Sequence, residues 1–264
     1  MTRDTQAETW LMRFGRQRGD GPAVVCFPHA GGSASAFVAL DGELAPHCDV
    51  LAVQYPGRHE RYREQSALTI EELADPIAQA LNEELHGRER PYALFGHSMG
   101  AVVAFEVARR LERGGHGPAH LLVSGRAAPS DPRTGRLHRQ PDDALLAELD
   151  RLGGTPEGLL QDADVRALLL PPLRADYRAV ETYVYAPGPA LACPVTVLVG
   201  DRDPMVSVSE AARWQRHTAS ACAVRVFHGG HFYLWDHVAE VARTVTASLG
   251  RKAARRPGAE RRVP

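Results

Sequence analysis

Cysteine is scarce in this sequence and too widely spread for the usual metal-binding or redox motifs. The 264 residues contain four cysteines, and no two of them form a Cys-x-x-Cys pair. Isolated cysteines in or beside apolar runs, such as Cys26 and Cys193, are typical of buried reduced thiols. The sequence therefore favours free thiols over a disulfide. The histidines and carboxylates also lack His-Glu-x-x-His spacing, and we expect no bound metal.

Long apolar stretches and a strong net charge are absent as well. No window approaches about 18 uncharged apolar residues, so the sequence predicts no membrane span. Residues 1–21 are polar, and we expect no signal peptide. The net charge is -1, with a basic segment after Gly250 and a slightly acidic remainder, which argues against a nucleic-acid partner. We therefore expect a cytoplasmic protein that binds neither membrane nor nucleic acid. There is no glycine-rich phosphate loop, and we expect no cofactor.

A serine motif is the most informative feature that the sequence does contain. An apolar strand pattern leads into Gly-His-Ser-Met-Gly at residues 96–100, and an apolar helical pattern leads out. This framing is typical of a serine nucleophile on a sharp strand-to-helix turn, where Gly96 and Gly100 leave room for the close backbone. We predict Ser98 as the nucleophile. The N–H of Met99 would then be one donor of an oxyanion hole.

Short apolar runs alternate with helical patterns along most of the chain. Strands are predicted at residues 23–27, 50–54, 92–95, 120–124, 195–199 and 223–227, with an edge element near 10–14. Helices are predicted after Ser33 as a cap, at 69–85 with a capping box of Thr69 and Glu72, near 207–217 and at 234–249. The alternation predicts an α/β fold with a mostly parallel central sheet and helices on both faces.

The alternation is interrupted between residues 126 and 189. This segment has no strand pattern and contains Leu-rich helical patterns at 142–149, 165–170 and 174–183, separated by proline and glycine. It is too long for a loop in a compact domain. We therefore predict an α/β core at residues 1–125 and 190–249, a helical insertion at 126–189, and a disordered basic tail at 250–264.

The partners of Ser98 should lie in loops after the later strands, because active sites of such sheets lie at the carboxyl ends of the strands. The order serine, acid, histidine is the one expected of an α/β-hydrolase. We predict His231 as the base, with His228 as the competitor. We predict Asp203 as the acid in preference to Asp201, which would instead brace the same turn.

A second oxyanion donor is expected in the turn after the first strong strand. The sequence His-Ala-Gly-Gly at residues 29–32 is a glycine-rich turn of the right type, and we predict the N–H of Ala30 as the donor. Losing one such donor typically costs about 3 kcal/mol of transition-state stabilisation. His29 and His97 flank the site, and packing with loop hydrogen bonds is favoured for both.

Several segments together resemble the type II thioesterases, the stand-alone editing enzymes of polyketide synthases and nonribosomal peptide synthetases. The resemblance covers the chain from Trp10 to Leu249. It rests on the segments Phe-Pro-His-Ala-Gly-Gly-Ser at 27–33, Gln-Tyr-Pro-Gly-Arg at 54–58, Phe-Gly-His-Ser-Met-Gly-Ala at 95–101, Ser-Gly-Arg-Ala-Ala-Pro at 124–129, Leu-Leu-Pro-Pro-Leu-Arg-Ala-Asp at 169–176, Gly-Asp-Arg-Asp-Pro at 200–204 and Gly-Gly-His-Phe-Tyr at 229–233. The Pro-Gly-Arg and Leu-Arg-Ala-Asp segments are the most discriminating.

This resemblance implies an α/β-hydrolase fold in which the helical insertion is a mobile lid. It also implies a serine thioesterase with Ser98, Asp203 and His231 as catalytic residues. The substrate would be an acyl group on the phosphopantetheine arm of an acyl or peptidyl carrier protein. Hydrolysis would free blocked arms, and we expect a monomer. Arg58 and Arg61 would contact the arm or the carrier, or, as we favour, form structural ion pairs or face water.

Two other functions are compatible with these residues. The same triad would serve a small-molecule carboxylesterase or an acyltransferase, since the pocket and the lid select the acyl acceptor. A binding module without turnover is disfavoured, because Ser98, Asp203 and His231 are all present.

Overall fold

The computed structural model describes residues 6–15, 21–85, 90–131, 135–154 and 162–250. Within these residues seven strands form one sheet. They are β1 Leu11–Arg13, β2 Ala23–Phe27, β3 Asp49–Val53, β4 Tyr92–His97, β5 His120–Ser124, β6 Val195–Gly200 and β7 Cys222–Phe227. The strand order is β1-β3-β2-β4-β5-β6-β7, and only β1 pairs antiparallel to its neighbour. The predicted strands and the mostly parallel sheet are confirmed. The basic tail predicted at 250–264 lies outside the described residues after Gly250.

The pattern of burial explains why the strands could be recognised. Every residue of β2 through β6 is buried, as expected for strands covered on both faces. The residues of β7 instead alternate between partly buried and exposed over most of its length, because it is an edge strand with one face open to water.

Helices cover both faces of the sheet. They are α1 Gln6–Trp10, α2 Val38–Leu44, α3 Ile70–Leu85, α4 Met99–Arg113, α5 Asp142–Leu152, α6 Ala163–Glu181, α7 Val208–Ala211, α8 Tyr233–Asp236 and α9 Val238–Leu249. Residues of α1, α3 and α4 form one apolar cluster with the sheet, and residues of α2, α8 and α9 form another on a separate set of strand residues. No helix within the described ranges has the length and apolar character needed to cross a membrane.

The segment between β5 and β6 contains α5, α6 and a 3-10 helix at Leu137–Arg139. Its described residues between 126 and 189 include no strand. The prediction of two separate helices at 165–170 and 174–183 is wrong. One helix, α6, continues through Pro171 and Pro172. Asp162 caps its first turn, and the half after the prolines is largely buried, so packing outweighs the two missing N–H donors.

Three other helix predictions need correction. Ser33 makes no cap bond, since its hydroxyl pairs with Ser35 at 2.8 Å and a 3-10 turn intervenes before α2. The last helix is divided at His237 into α8 and α9. The segment at 207–217 is α-helical only over α7 and continues as the 3-10 helix Ala212–His217.

The capping box at α3 is formed in part. The N–H of Glu72 donates to the Thr69 hydroxyl at 3.2 Å. The Glu72 carboxylate, however, accepts from the N–H of Leu68 rather than from that of Thr69.

The four cysteines are free, and Cys26, Cys48 and Cys193 are buried. The prediction of unpaired thiols is therefore confirmed.

Candidate active site

Ser98 lies on the turn from β4 to α4, where close contacts hold the backbone. Its φ of 55° and ψ of −116° are rare for any residue other than glycine and mark local strain. A Cβ on Gly96 would lie 2.2 Å from the carbonyl oxygen of Gly100. A Cβ on Gly100 would lie 2.1 Å from the carbonyl oxygen of Phe27. Both glycines are therefore required where the helix passes close to the strands.

Two backbone amides near Ser98 are available to an oxyanion. Met99 begins α4, so its N–H has no partner within the helix and lies at the positive end of the helix dipole. In the turn after β2, the N–H of Gly31 donates to Asp176, and that of Gly32 donates to the carbonyl oxygen of His29. Within the described residues no hydrogen bond engages the N–H of Ala30. Ala30 and Met99 thus remain the predicted donors.

His231 and Asp203 form a buried pair at the ends of β7 and β6. The Nδ1 of His231 lies 2.9 and 3.0 Å from the two carboxylate oxygens of Asp203. The two side chains are 1% and 0% exposed. Because an ionised carboxylate only accepts hydrogen bonds, Nδ1 donates the proton of this contact, which directs Nε2 away from Asp203. This Nε2 is buried without a hydrogen-bond partner in the described part of the chain.

Backbone contacts between the two loops hold this pair in place. The N–H of Asp201 donates to the carbonyl oxygen of Phe227 at 2.8 Å, and that of Arg202 donates to Gly229 at 2.9 Å. A Cβ on Gly200 would lie 2.5 Å from the carbonyl oxygen of Gly229, so only glycine allows this approach. The carboxylate of Asp203 also accepts from the N–H of Met205 at 2.8 Å, which orients it.

The competing residues pair with each other at the surface. The Nδ1 of His228 lies 3.0 Å from the carboxylate of Asp201, and the two side chains are 71% and 41% exposed. Asp201 also accepts from the N–H of Gly229 at 2.8 Å, so it braces the turn. These hydrogen bonds from Gly229 and His228 lower the pKa of Asp201.

The imidazole of His231 lies beside the Ser98 turn, but the two side chains are not hydrogen-bonded. Its ring centroid is 4.8 Å from that of His97, the residue before Ser98. A Cβ on Gly125 would lie 3.1 Å from Cε1 of His231. The neighbouring Ser124 accepts the Ser98 N–H through its carbonyl oxygen at 2.8 Å. The structure therefore joins the predicted acid and base directly and places the base next to the nucleophile turn.

Two further histidines, the buried His97 and the partly buried His29, lie in the same place, and their surroundings favour the neutral ring. Burial lowers the pKa of His97 well below its ordinary value, and the neighbouring His231 and His29 lower it further. The pKa of His29 is lowered to about 3, mainly by burial and further by the neighbouring His231 and Arg58. The Nδ1 of His97 lies 2.9 Å from the Ser124 hydroxyl. These contacts fit the packing and hydrogen-bonding roles that the sequence favoured.

A family model for the thioesterase domain matches residues 22–249 of this chain. The chain belongs to the thioesterase family. The thioesterase is similar to the probable cadicidin biosynthesis thioesterase of Streptomyces griseus, with 45% identity over 248 residues that cover 94% of this chain and 68% of that protein. It is 46% identical over 241 residues to thioesterase PikA5 of Streptomyces venezuelae, covering 91% and 85% of the two chains.

Among solved structures, the thioesterase is similar to the type II thioesterase BorB from the borrelidin biosynthetic cluster. The identity is 45% and the TM-score 0.86, with 93% of this chain and 100% of that chain covered. The resemblance to type II thioesterases and the predicted α/β-hydrolase fold are both confirmed. By its family, the chain is a thioester hydrolase.

The Arg58 and Arg61 side chains of the thioesterase are both buried, and each forms an ion pair. Arg58 forms a two-point ion pair with Asp176, at 2.6 and 2.8 Å. Arg61 donates to the Glu64 carboxylate and to the carbonyl oxygen of Gln54. The favoured alternative of structural ion pairs therefore describes both arginines.

Asp176 is the residue near the site that sequence reasoning missed. It accepts the N–H of Gly31, in the predicted oxyanion turn, at 2.8 Å, although it lies 145 residues away on α6. The available signal was the Leu-Arg-Ala-Asp segment, which contributed to the family resemblance without indicating a role.

A cavity of about 790 Å³ opens beside this turn. It lies between the first half of α6 and the loop after β3. Its lining includes Gly31, Arg58, Leu168, Leu169 and Pro172. No group of histidine, cysteine or carboxylate side chains that could hold a metal ion occurs among the described residues.

Proposed function

We propose that this thioesterase hydrolyses acyl groups from the phosphopantetheine arm of acyl or peptidyl carrier proteins. Ser98 is the nucleophile, His231 the general base and Asp203 the acid that orients it. The N–H groups of Ala30 and Met99 bind the oxyanion. The physiological role is to free arms that carry the wrong acyl group, and the partner is the carrier protein of a polyketide or nonribosomal peptide synthase.

One observation carries this assignment of residues. The imidazole of His231 is buried, its Nδ1 bonds to Asp203, and its Nε2 has no partner among the described residues. Other buried ring nitrogens also lack a partner, but among the described residues only this one belongs to a ring that is paired with a buried carboxylate. A buried polar atom without a partner costs free energy, and this combination beside a strained serine turn supports the role of a general base. A proton from the Ser98 hydroxyl would satisfy this nitrogen.

In the first half of the reaction, Ser98 Oγ attacks the thioester carbonyl carbon while Nε2 of His231 takes its proton. The carbonyl oxygen becomes an oxyanion that the two N–H groups stabilise. When the tetrahedral intermediate collapses, the C–S bond breaks and His231 returns the proton to the leaving thiolate. The Ser98–His231 bond is expected to form when substrate binds, because catalytic hydrogen bonds are often long in free enzymes.

In the second half, water replaces the thiol. His231 removes a proton from water, the resulting hydroxide attacks the acyl-serine ester, and the proton passes to Ser98 Oγ as the acid leaves. No cofactor is needed for either half. We assign the acyl chain to the 790 Å³ cavity, since it adjoins Gly31 and is lined by apolar side chains of α6.

The test compares a panel of acyl groups on a carrier protein with the same acyl groups on small thiols. We expect faster release of free acid from the carrier across several chain lengths. Equal rates from both would indicate a small-molecule esterase. Transfer of a radiolabelled acyl group to an added alcohol or amine, instead of release of free acid, would indicate an acyltransferase.

Ser98→Ala is the matched control for that assay. We expect deacylation to fall by about 10³-fold or more, because the nucleophile is lost. Carrier binding, measured by calorimetry, should stay close to that of the unmodified enzyme. Deacylation at the original rate would refute the acyl-serine mechanism.

A further inference from the structure

The turn that contains Ala30 is fastened to the helical insertion by a buried side chain. The Oδ2 of Asp176, on α6, accepts the N–H of Gly31 at 2.8 Å. Asp176 is only 2% exposed. A planar peptide moves as a unit, so this hydrogen bond fixes the peptide that joins Ala30 to Gly31. The preceding peptide, which carries the Ala30 N–H, is held through its His29 carbonyl oxygen, which accepts the N–H of Gly32 at 3.0 Å.

Arg58 completes the attachment from the loop after β3. Its guanidinium donates to both carboxylate oxygens of Asp176, at 2.6 and 2.8 Å, and its Nη1 also donates to the carbonyl oxygen of Gly32 at 2.9 Å. Planar two-point pairing of this kind is geometrically specific. Together, Asp176 and Arg58 hold the N–H of Gly31 and the carbonyl of Gly32.

Apolar packing closes the same interface. A Cβ on Gly31, whose φ is +76°, would lie 2.8 Å from Cδ1 of Leu173. Ala30 packs against the cluster to which Leu173 and Tyr177 of α6 belong. The turn therefore rests directly on this helix, and the N–H of Ala30 is the amide of the turn that stays available.

We propose that Asp176 and Arg58 are positioning residues that hold the Ala30 N–H in the oxyanion hole, so that the hole is complete only while α6 is seated on the turn. This inference rests on the proposed function. If α6 moves away, the Gly31 N–H loses its acceptor and two buried charges separate. Departure of the helix and loss of the oxyanion hole are then one event. The Pro-Gly-Arg segment supplies Arg58 and the Leu-Arg-Ala-Asp segment supplies Asp176, so the two segments together position the Ala30 N–H.

Two matched double variants isolate the acceptor for Gly31. Arg58→Met with Asp176→Asn removes both charges but keeps an oxygen that can accept the Gly31 N–H. Arg58→Met with Asp176→Leu removes the charges and the acceptor, with a side chain of similar size. Neither variant leaves a buried charge without its partner, which would itself be strongly destabilising.

We expect kcat of the Leu double variant to be about tenfold or more below that of the Asn double variant, because a displaced oxyanion donor weakens transition-state binding. KM should differ by less than about twofold, since the substrate carbonyl carries little charge before attack. The inhibition constant of an alkyl trifluoromethyl ketone, which forms an oxyanion adduct with the serine, should weaken by the same factor as kcat. Equal kcat and equal inhibition constants in two folded variants would overturn the proposal.

Hydrogen exchange in the unmodified enzyme tests the proposal without any variant. If either double variant fails to fold, this measurement alone decides the question. Peptides covering residues 28–37 and 163–181 should open with one common rate, and the trifluoromethyl ketone should slow both. Exchange in α6 while the turn stays protected would overturn the coupling. Because this measurement needs no turnover, it separates failure of this inference from failure of the proposed function, which the Ser98→Ala and carrier assays report.

Discussion

The loops after β6 and β7 contain two aspartate–histidine pairs that differ in their surroundings. Asp203 and His231 are almost completely buried, whereas Asp201 and His228 are 41% and 71% exposed. Water screens the exposed pair, so its attraction is weak and its geometry loosely held. In the buried pair the carboxylate fixes both the tautomer and the orientation of the ring. Burial, more than residue type, therefore separates a candidate catalytic pair from a turn brace.

Replacing the two histidines would test this comparison with the largest effect. We expect His231→Ala to lower kcat by about 10⁴-fold or more, because no other group takes the serine proton. His228→Ala is the matched control and should stay within about threefold of the unmodified enzyme. Both are measured as acid release from an acylated carrier. A large loss in His228→Ala with activity retained in His231→Ala would reverse the assignment of the base.

The two aspartates should show a smaller contrast. Asp203→Asn keeps the size of the side chain but can turn an N–H towards His231, which favours the wrong tautomer, and kcat should fall by up to about 10⁴-fold. Asp201→Asn keeps an oxygen for the Gly229 N–H, and kcat should change by less than about threefold. Nitrogen NMR of the imidazole would report the tautomer directly. Unchanged proton placement on His231 in Asp203→Asn would contradict this explanation.

The smallest predicted effect is on the free energy of unfolding. It concerns His97 and His29, whose surroundings in the fold also differ from those of an exposed histidine. The pKa of His97 is lowered by burial, and that of His29 is lowered to about 3. Below about pH 6.5 the unfolded chain binds protons that the folded chain does not, so the free energy of unfolding falls with falling pH. Each such histidine contributes up to about 1.4 kcal/mol per pH unit.

Urea denaturation between pH 7 and pH 5 measures this slope above the range where most carboxylates titrate. His29→Phe should reduce the slope by up to one proton's contribution, since an aromatic ring remains but no longer titrates. Stability that is constant or increases on acidification over this interval would contradict the neutral state of the two rings.

Most strands and the approximate place of the site could be predicted because their physical causes are local. A strand buried on both faces is mostly apolar, and the five strands from β2 to β6 show that composition, with their few polar residues mainly at the strand ends. The loops after successive parallel strands meet at one edge of the sheet. This rule was the basis for predicting Asp203 and His231 as partners. Their direct contact is what the order of the loops led us to expect.

Features that depend on distant packing could not be predicted. Local rules end a helix before Pro171, yet tertiary contacts carry α6 through it. The contact between Arg58 and Asp176 joins residues 118 positions apart, and neither periodicity nor spacing reports such a pair. The division of the last helix at His237 likewise involves a contact from outside the helix, where Nε2 of His237 lies 2.8 Å from the carbonyl oxygen of His228.

The crowding around Gly96 and Gly100 means that neighbouring backbone, rather than the serine hydroxyl, dictates the conformation at residue 98. Ser98→Cys would therefore inherit the same turn, with a softer nucleophile in the same place. Its acyl-enzyme would be a thioester as energetic as the incoming substrate, and an amine could capture it before water does. Exchange of one atom is therefore expected to shift the enzyme from hydrolysis towards acyl transfer to amines.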